Sequence, residues 1–284
     1  MKAAFSLFSF PRDDNPAELF ALIKKAGYEG VEPALSDTGY LNLSSSDDDI
    51  RALKKLAEKH GLSIPSVGAW NHWDYNLVSD NADTREKARS IIRFQLHAAR
   101  LLGADTILVV PGYVSAEISS TREFVRYDTA YERALDAFRV LKNDAEREGV
   151  KIGIENVWNR FLLSPLETAR FVDEVGSPCF GVYFDVGNII YIGYPDQWIE
   201  ILGKRIFKIH LSDYRFGQAG FGAFVDLFAG DVDFKAVVKS LKAIGYDDWL
   251  TTEMLPNYKQ FPRTSIFSSK AAMDTILEMC NSIL

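Results

Sequence analysis

Four side chains that can bind a metal ion lie at or next to the ends of four short apolar segments. These segments, KIGIEN, GVYFDVGN, IFKIHLSD and WLTTEML, carry Glu155, Asp185, His210 and Glu253. Each segment has the length and apolar character of a buried strand. Burying a carboxylate is costly unless the group is paired or bound to a metal. One divalent cation shared by all four groups is the simplest explanation of the pattern.

The combination of the four groups, rather than any one of them, supports this prediction. A single carboxylate at a strand end is usually a helix cap or part of a surface ion pair, and a single histidine is usually a hydrogen-bonded core residue. Three carboxylates and one imidazole form an oxygen-rich ligand set. Such a set favours Mn²⁺, Mg²⁺ or Co²⁺, with Zn²⁺ as a further alternative.

Strand and helix patterns alternate along the whole chain. A glycine follows each of seven predicted helices, and a strand pattern begins a few residues later; these glycines are Gly27, Gly61, Gly103, Gly149, Gly176, Gly203 and Gly245. Such alternation implies parallel strands joined by helices. Eight strand–helix units predict an α/β fold with a single (β/α)8 barrel domain over residues 1–284, in which the carboxyl ends of the strands form the site. A doubly wound sheet is the alternative, but the segment after the first strand, FPRDDNPAE, has no glycine-rich phosphate loop.

The element boundaries follow from local signals. We predict strands at Ala3–Phe8, Gly30–Pro33 and Ser63–Ala69, among others. Asn15 followed by Pro16 predicts the start of the first helix, because Asn is a favoured N-cap and Pro is favoured at the first helical position. Similar signals predict the later helices, and the last helix is expected over Ser268–Ile283.

Composition excludes several classes of protein. The chain has 284 residues, 47% of them hydrophobic, and a net charge of −7 without any basic run, which argues against a nucleic-acid partner. Its two cysteines show neither a disulfide framework nor a metal-binding spacing. The amino-terminal segment lacks the long apolar region of a signal peptide, and no apolar run approaches a membrane span. These features predict a cytoplasmic protein that acts on small molecules.

The segments IENVWNRFLLSP, YFDVGN, KIHLSD and GDVDFKAVVKSLKAIGYDDWLTTEM resemble the sugar isomerase/epimerase family with the xylose isomerase-like barrel. That family includes ketose 3-epimerases, L-ribulose-5-phosphate 3-epimerase and hydroxypyruvate isomerase. The resemblance covers nearly the whole chain. It implies one divalent metal, with Mn²⁺ preferred, bound by Glu155, Asp185, His210 and Glu253. It also implies that Glu155 and Glu253 are the acid–base pair, that the substrate is a sugar or sugar phosphate, and that the protein forms a homo-oligomer.

Two positions depart from the usual family pattern. Many members have a histidine three residues after the metal-binding aspartate. Here that position is Asn188, and members of the L-ribulose-5-phosphate 3-epimerase type also have asparagine there. The usual HxKD pattern after the seventh strand reads HLSD here, so Ser212 replaces the lysine. The first departure weakens any close match to the epimerases of free ketoses.

The expected chemistry is proton transfer next to a carbonyl group, through an enediolate. Carboxylates on two faces of the substrate would remove and return the proton and so invert a stereocentre, whereas one carboxylate moving a proton between neighbouring carbons would interconvert an aldose and a ketose. The sequence does not separate these outcomes. Two further alternatives are an endonuclease of the same superfamily, which would need a histidine-rich zinc cluster although the chain has only four histidines, and a non-catalytic sugar-binding barrel.

Five further side chains are predicted to contact the substrate. His72 follows the third strand between two tryptophans, and a packed aromatic loop is an equal alternative for it. Glu32 ends the second strand and could instead form a structural ion pair. Arg215 could contact a hydroxyl or phosphate group or be solvated, Trp158 could form an apolar wall or belong to the core, and Asn188 is placed here by the family pattern.

Overall fold

In the described part of the chain, nine parallel strands fill the eight positions of a barrel, and eight helices surround it. The computed structural model describes residues 1–218, 220–255 and 258–282. The barrel strands, in chain order, are β1 (Lys2–Ser6), β2 (Gly30–Glu32), β3 (Ala34–Leu35), β4 (Ser66–Ala69), β5 (Thr106–Val109), β6 (Lys151–Glu155), β7 (Phe180–Asp185) and β8 (Ile206–Leu211). A short antiparallel pair, β9 (Asp213–Tyr214) and β10 (Phe224–Val225), follows, and β11 (Trp249–Thr252) completes the barrel.

The barrel closes because one position in the ring is filled by two short strands, β2 and β3. β2 pairs with β1 and β3 pairs with β4, and only Pro33 separates β2 from β3. Proline has no backbone N–H to donate to a ladder, so it interrupts the strand. Its carbonyl still accepts a hydrogen bond of 2.9 Å from Gly68 N. The order around the ring is β2/β3, β1, β11, β8, β7, β6, β5 and β4, which confirms the predicted (β/α)8 barrel.

Five of the eight described helices begin at a side-chain cap. The Asn15 side chain accepts from Ala17 N at the start of the first helix, and Ser46 and Asp49 form a reciprocal capping box at the start of the second. The helices are α1 (Pro16–Ala26), α2 (Asp47–Lys59), α3 (Ala82–Leu102), α4 (Tyr127–Glu148), α5 (Pro165–Val175), α6 (Pro195–Leu202), α7 (Phe234–Ala243) and α8 (Thr264–Ser282).

Three boundaries differ from the predictions. The first strand ends at Ser6, because the Ser6 hydroxyl accepts a hydrogen bond from Phe8 N and a 3₁₀ turn over Leu7–Ser9 begins there. The third predicted strand begins only at Ser66, after Pro65. The last helix begins at Thr264, before the predicted start at Ser268, and its predicted end at position 283 lies outside the described residues.

The main core lies between the barrel and the ring of helices. Each helix contributes an apolar stripe to it, as α1 does with Leu19, Phe20 and Ile23. This packing holds the strands rigidly, which is what a site built from several strand ends requires. Among the described residues, no helix is both long enough and apolar enough to cross a bilayer.

Candidate metal centre

The structure brings the four ligand-capable groups together at the carboxyl ends of neighbouring strands. Glu155 and Asp185 are the last residues of β6 and β7, His210 is the last but one of β8, and Glu253 follows β11 directly. One ligand atom from each residue lies within 4.8 Å of the others, and all four side chains are buried. The group has the composition and size to hold a metal ion.

Strand register explains why residues so distant in sequence meet. Asp185 pairs with His210 directly, so these two side chains leave the sheet at the same level. Glu155 pairs with Tyr183, two residues before Asp185, and Thr251, two residues before Glu253, pairs with His210. Offsets of zero or two keep every side chain on the interior face, because the side chains of a strand alternate. The tilt of the barrel strands compensates for the offsets of two.

His210 presents one ring nitrogen to the carboxylates and the other to Glu32. Nδ1 lies 3.6 Å from Glu155 Oε1 and 3.4 Å from Glu253 Oε2. It is fully buried without a hydrogen-bond partner among the described residues, a state that costs free energy. Nε2 lies 2.8 Å from Glu32 Oε1 and donates its proton there. A cation bound between Nδ1 and the carboxylates would satisfy this nitrogen, so these residues fit a metal ion.

Glu32 is the centre of a hydrogen-bond network inside the barrel. Its Oε1 accepts from Ser6 Oγ at 2.7 Å and from His210, and its Oε2 accepts from Ser66 Oγ at 2.5 Å and Tyr183 OH at 2.7 Å. Burial alone would raise the pKa of Glu32, but the charge of His210 and these hydrogen bonds lower the pKa below its usual value. The ionised carboxylate therefore orients His210, as carboxylates do in carboxylate–histidine–metal arrangements.

Asp185 is also held in place by hydrogen bonds. Ser212 Oγ donates to its two oxygens at 2.8 and 3.1 Å, and Asn188 N donates to Oδ1 at 2.7 Å. The Asn156 side chain bridges the backbone N–H and carbonyl of Asp185. Ser212, which replaces the usual family lysine, is thus a support for a ligand-capable carboxylate.

The acidic cluster is electrostatically strained without a cation. Burial raises the pKa of Glu155 to about 8 and the pKa of Asp185 to about 7, and the charge of Glu253 adds to both shifts. Burial alone would lower the pKa of His210, but the surrounding negative charges, Glu32 and Glu253 among them, raise it. Protons therefore compete with a cation for this site.

The predicted substrate contacts occupy different surroundings. His72 is buried, with Nε2 3.1 Å from Gln95 Oε1, and burial lowers its pKa to about 4. The amide of Gln95 donates to two backbone carbonyls, so its oxygen is the acceptor and His72 is the donor. Arg215 is exposed and donates from Nε to Ala229 O at 2.9 Å. For both residues, contact with a substrate stays a prediction.

Trp158 lies in an aromatic cluster next to the site. Its Nε1 donates to Asn188 O at 3.1 Å, and its ring packs against Tyr214, Phe221 and Phe224. Trp158 also lines a cavity of about 830 Å³. The walls of this cavity come from the loops after β5, β6, β7 and β8, and the four ligand-capable residues are not among its lining residues. The cavity is therefore a neighbour of the metal centre and is large enough for a small ligand.

Sequence reasoning missed the partners of Glu32. Ser6, Ser66 and Tyr183 lie on three different strands and all reach its carboxylate. One signal was present for Tyr183: it lies two residues before Asp185 in the same strand and so faces the same side of the sheet. No local signal pointed to the two serines.

Comparison with known proteins agrees with this architecture. The chain matches the family model described as xylose isomerase-like TIM barrel over residues 20–274. It is 27% identical over 269 residues to a putative L-ribulose-5-phosphate 3-epimerase of Escherichia coli K12, in an alignment that covers 89% of this chain and 88% of the relative.

Two solved structures share the fold over almost the whole chain. D-psicose 3-epimerase from Clostridium cellulolyticum H10, in a structure with D-tagatose, has a TM-score of 0.79, 18% identity and coverage of 99% of both chains. The IOLI protein, in a structure with a zinc atom, has a TM-score of 0.80, 19% identity and coverage of 100% of both chains. Because the family model spans most of the sequence, the chain belongs to the xylose isomerase-like TIM barrel family.

Proposed function

We propose that this protein is a divalent-metal-dependent epimerase/isomerase of a ketose or ketose phosphate, with Glu155 and Glu253 as its acid–base pair. The observation that carries the proposal is a pair of buried glutamates, Glu155 and Glu253, on strands that lie on opposite sides of the His210 strand. Their carboxylate oxygens lie 3.6 and 3.4 Å from His210 Nδ1, within one group that can hold a metal. Relatives named as epimerases and isomerases support an isomerase-class enzyme.

The proposed mechanism assigns a task to each part of the site. A cation held by Glu155, Asp185, His210 and Glu253 would supply a Lewis acid for the carbonyl group of the substrate. One glutamate removes the proton next to the carbonyl, and the other donates a proton from the opposite side, which inverts the stereocentre.

The finer elements of the proposal rest on the sequence. They are Mn²⁺ as the preferred metal with Mg²⁺, Co²⁺ or Zn²⁺ as alternatives, a role in carbohydrate metabolism, a cytoplasmic location, one domain over residues 1–284, self-association, and no nucleic-acid partner. The net charge of −7 supports the last of these. The proposed substrate contacts are His72, Asn188, Arg215, Trp158 and Glu32, although the complete burial of Glu32 supports an orienting role through His210.

Proton exchange tests the function directly. The Mn²⁺-loaded protein is incubated in D₂O with a panel of ketoses and ketose phosphates, and carbon-bound deuterium is followed by NMR. Deuterium in an epimeric ketose supports epimerisation, and deuterium in an aldose supports aldose–ketose isomerisation. Absence of exchange across the panel would contradict the proposal.

Two variants and a control identify the acid–base pair. Glu155→Gln and Glu253→Gln should each lower the exchange rate by roughly 10²–10⁴-fold, the usual contribution of general acid–base catalysis. Metal content is measured for each variant, because both residues belong to the metal group. Glu132→Gln, on the exposed side of α4, is the control and should retain the rate. Full exchange activity of both test variants with metal bound would contradict the assignment of Glu155 and Glu253 as the acid–base pair. Sugar binding by the wild-type protein without any exchange would favour the non-catalytic sugar-binding barrel.

A further inference from the structure

Two arginines line the cavity that adjoins the metal centre. Arg122 belongs to the loop after β5 and Arg160 to the loop after β6, and both are exposed to solvent. Trp158, Tyr191 and Tyr214 line the same cavity. The loops after three strands that carry ligand-capable residues, β6, β7 and β8, thus contribute to its wall.

The two arginine-bearing loops are joined by hydrogen bonds from the backbone and the side chain of Asn159. Asn159, directly before Arg160, accepts from Val114 N through its carbonyl at 3.0 Å and donates from Nδ2 to Gly112 O at 2.8 Å. A bond of 2.9 Å from Val125 N to Val114 O closes the other loop around Arg122. The two guanidinium groups therefore extend from one connected frame.

Both arginines have a backbone conformation that is unusual for their type. Arg122 has φ 46° and Arg160 has φ 54°, which place both in the left-handed region that residues other than glycine rarely adopt. The side chain of the next residue, Glu123, accepts from Ser79 Oγ at 2.6 Å and Asp80 N at 2.8 Å and anchors the loop away from the cavity. Strained backbone held by such anchors is often found at binding sites.

Neither guanidinium has an acidic partner among the residues that the structure describes. Within the described ranges 1–218, 220–255 and 258–282, no hydrogen bond or ion pair engages the side chain of Arg122 or Arg160, although most other arginines have one. Glu117 lines the same cavity without an ion pair to either arginine. Two unpaired cations on a concave wall therefore stand out in a chain with a net charge of −7.

We propose that Arg122 and Arg160 bind the phosphate group of a phosphorylated ketose whose carbonyl end lies at the metal centre. This assignment rests on the proposed function and gives its substrate class. Guanidinium groups match phosphate oxygens in charge and geometry. The three carboxylates of the metal group would repel a dianion, so a phosphate group needs positive charge at a separate position. The arginine-lined cavity supplies it, and Trp158 and Tyr214, which line the same cavity, offer apolar faces to the carbon chain.

The test compares a matched substrate pair, L-ribulose and L-ribulose 5-phosphate, with the metal-loaded protein. Arg122→Gln and Arg160→Gln should each lower the ratio of kcat/KM for the phosphorylated over the free sugar roughly ten- to a hundredfold, mainly through KM, since a hydrogen-bonded charge pair is lost. Arg160→Lys, which keeps the charge, should retain part of this preference. Arg126→Gln is the control, because Arg126 lies just after the same loop, is solvent-exposed and pairs with Asp128.

Binding of inorganic phosphate to the Mg²⁺-loaded protein, followed by ³¹P NMR, separates this proposal from the proposed function. Phosphate bound at the arginines should weaken in both Gln variants, whereas phosphate bound at the metal should not respond. Arginine-dependent phosphate binding without turnover of any ketose would support the phosphate site and contradict the epimerase function. Turnover with an unchanged substrate ratio and unchanged phosphate binding in folded variants would overturn the phosphate site alone.

Discussion

Replacement of Glu32 by Gln isolates the orienting role of this carboxylate. The change keeps the size of the side chain and removes its charge. The Ser66 and Tyr183 hydroxyls, which now donate to Oε2, can turn and accept from the new amide, so the network can be satisfied. What is lost is the negative charge 2.8 Å from His210 Nε2, which keeps the proton on that nitrogen and leaves Nδ1 free for a cation.

The expected effect follows from similar arrangements. Loss of a carboxylate behind a metal-binding histidine typically weakens metal binding 10- to 100-fold, which corresponds to about 1.4–2.8 kcal/mol. Glu32→Gln should therefore raise the dissociation constant for Mn²⁺ by this factor. Glu32→Ala should also destabilise the fold, because it leaves the His210 ring buried without its partner.

Competition with a chromophoric chelator at fixed pH measures the dissociation constant, and thermal melting of the metal-free proteins reports on folding. Ser66→Ala is the matched control, since it removes one hydrogen bond to Glu32 and keeps the charge. It should change the dissociation constant only a few-fold. A folded Glu32→Gln protein with Mn²⁺ affinity within twofold of wild type would refute the orienting role.

Three further predictions concern protons and packing. Burial raises the pKa of Glu155 to about 8 and that of Asp185 to about 7, and the surrounding negative charges raise the pKa of His210, so metal uptake at pH 7 should release protons and affinity should rise with pH. Calorimetry in buffers of different ionisation enthalpy would detect the released protons, and uptake without proton release would contradict the prediction. Burial lowers the pKa of His72 from 6.5 to about 4, so its contribution to stability is complete above pH 6.5 and is lost as the pH falls towards 4, by roughly 3 kcal/mol at most. The free energy of unfolding in urea should therefore change less between pH 7 and pH 4.5 in His72→Gln than in wild type. Equal changes in the two proteins would count against this origin. Gly68→Ala should cost ~1–3 kcal/mol in the same assay, because the added methyl group would overlap the ring of Phe8; unchanged stability would show that Phe8 can move aside.

Local features of the sequence were sufficient for the order of elements. The Asn15–Pro16 cap and the Ser46–Asp49 capping box are short-range patterns whose physics is contained in a few residues, and both form as predicted. The alternation of strands and helices likewise predicted parallel strands joined by crossover helices, and the absence of a glycine-rich phosphate loop after the first strand favoured a barrel over a doubly wound sheet. The interruption between β2 and β3 at Pro33 was not predicted, because a proline at the end of a short strand does not show that strand pairing resumes after it.

The site divides in the same way. The types of Glu155, Asp185, His210 and Glu253 and their places at strand ends were readable from the sequence, because the carboxyl ends of parallel strands meet at one end of a barrel. The network around Glu32 was not readable. It joins side chains from strands far apart in the chain, and whether they meet depends on strand register and barrel closure.

What the sequence by itself determined is therefore the set of elements and the chemistry available at their ends, since both depend on residue type and local spacing. Only the tertiary structure decided that Glu32 supports His210 from inside the barrel and that Arg122 and Arg160 face one cavity. The physical reason is that these relations arise from the closure of the ring and the hydrogen bonds between loops, which join residues that no local pattern connects.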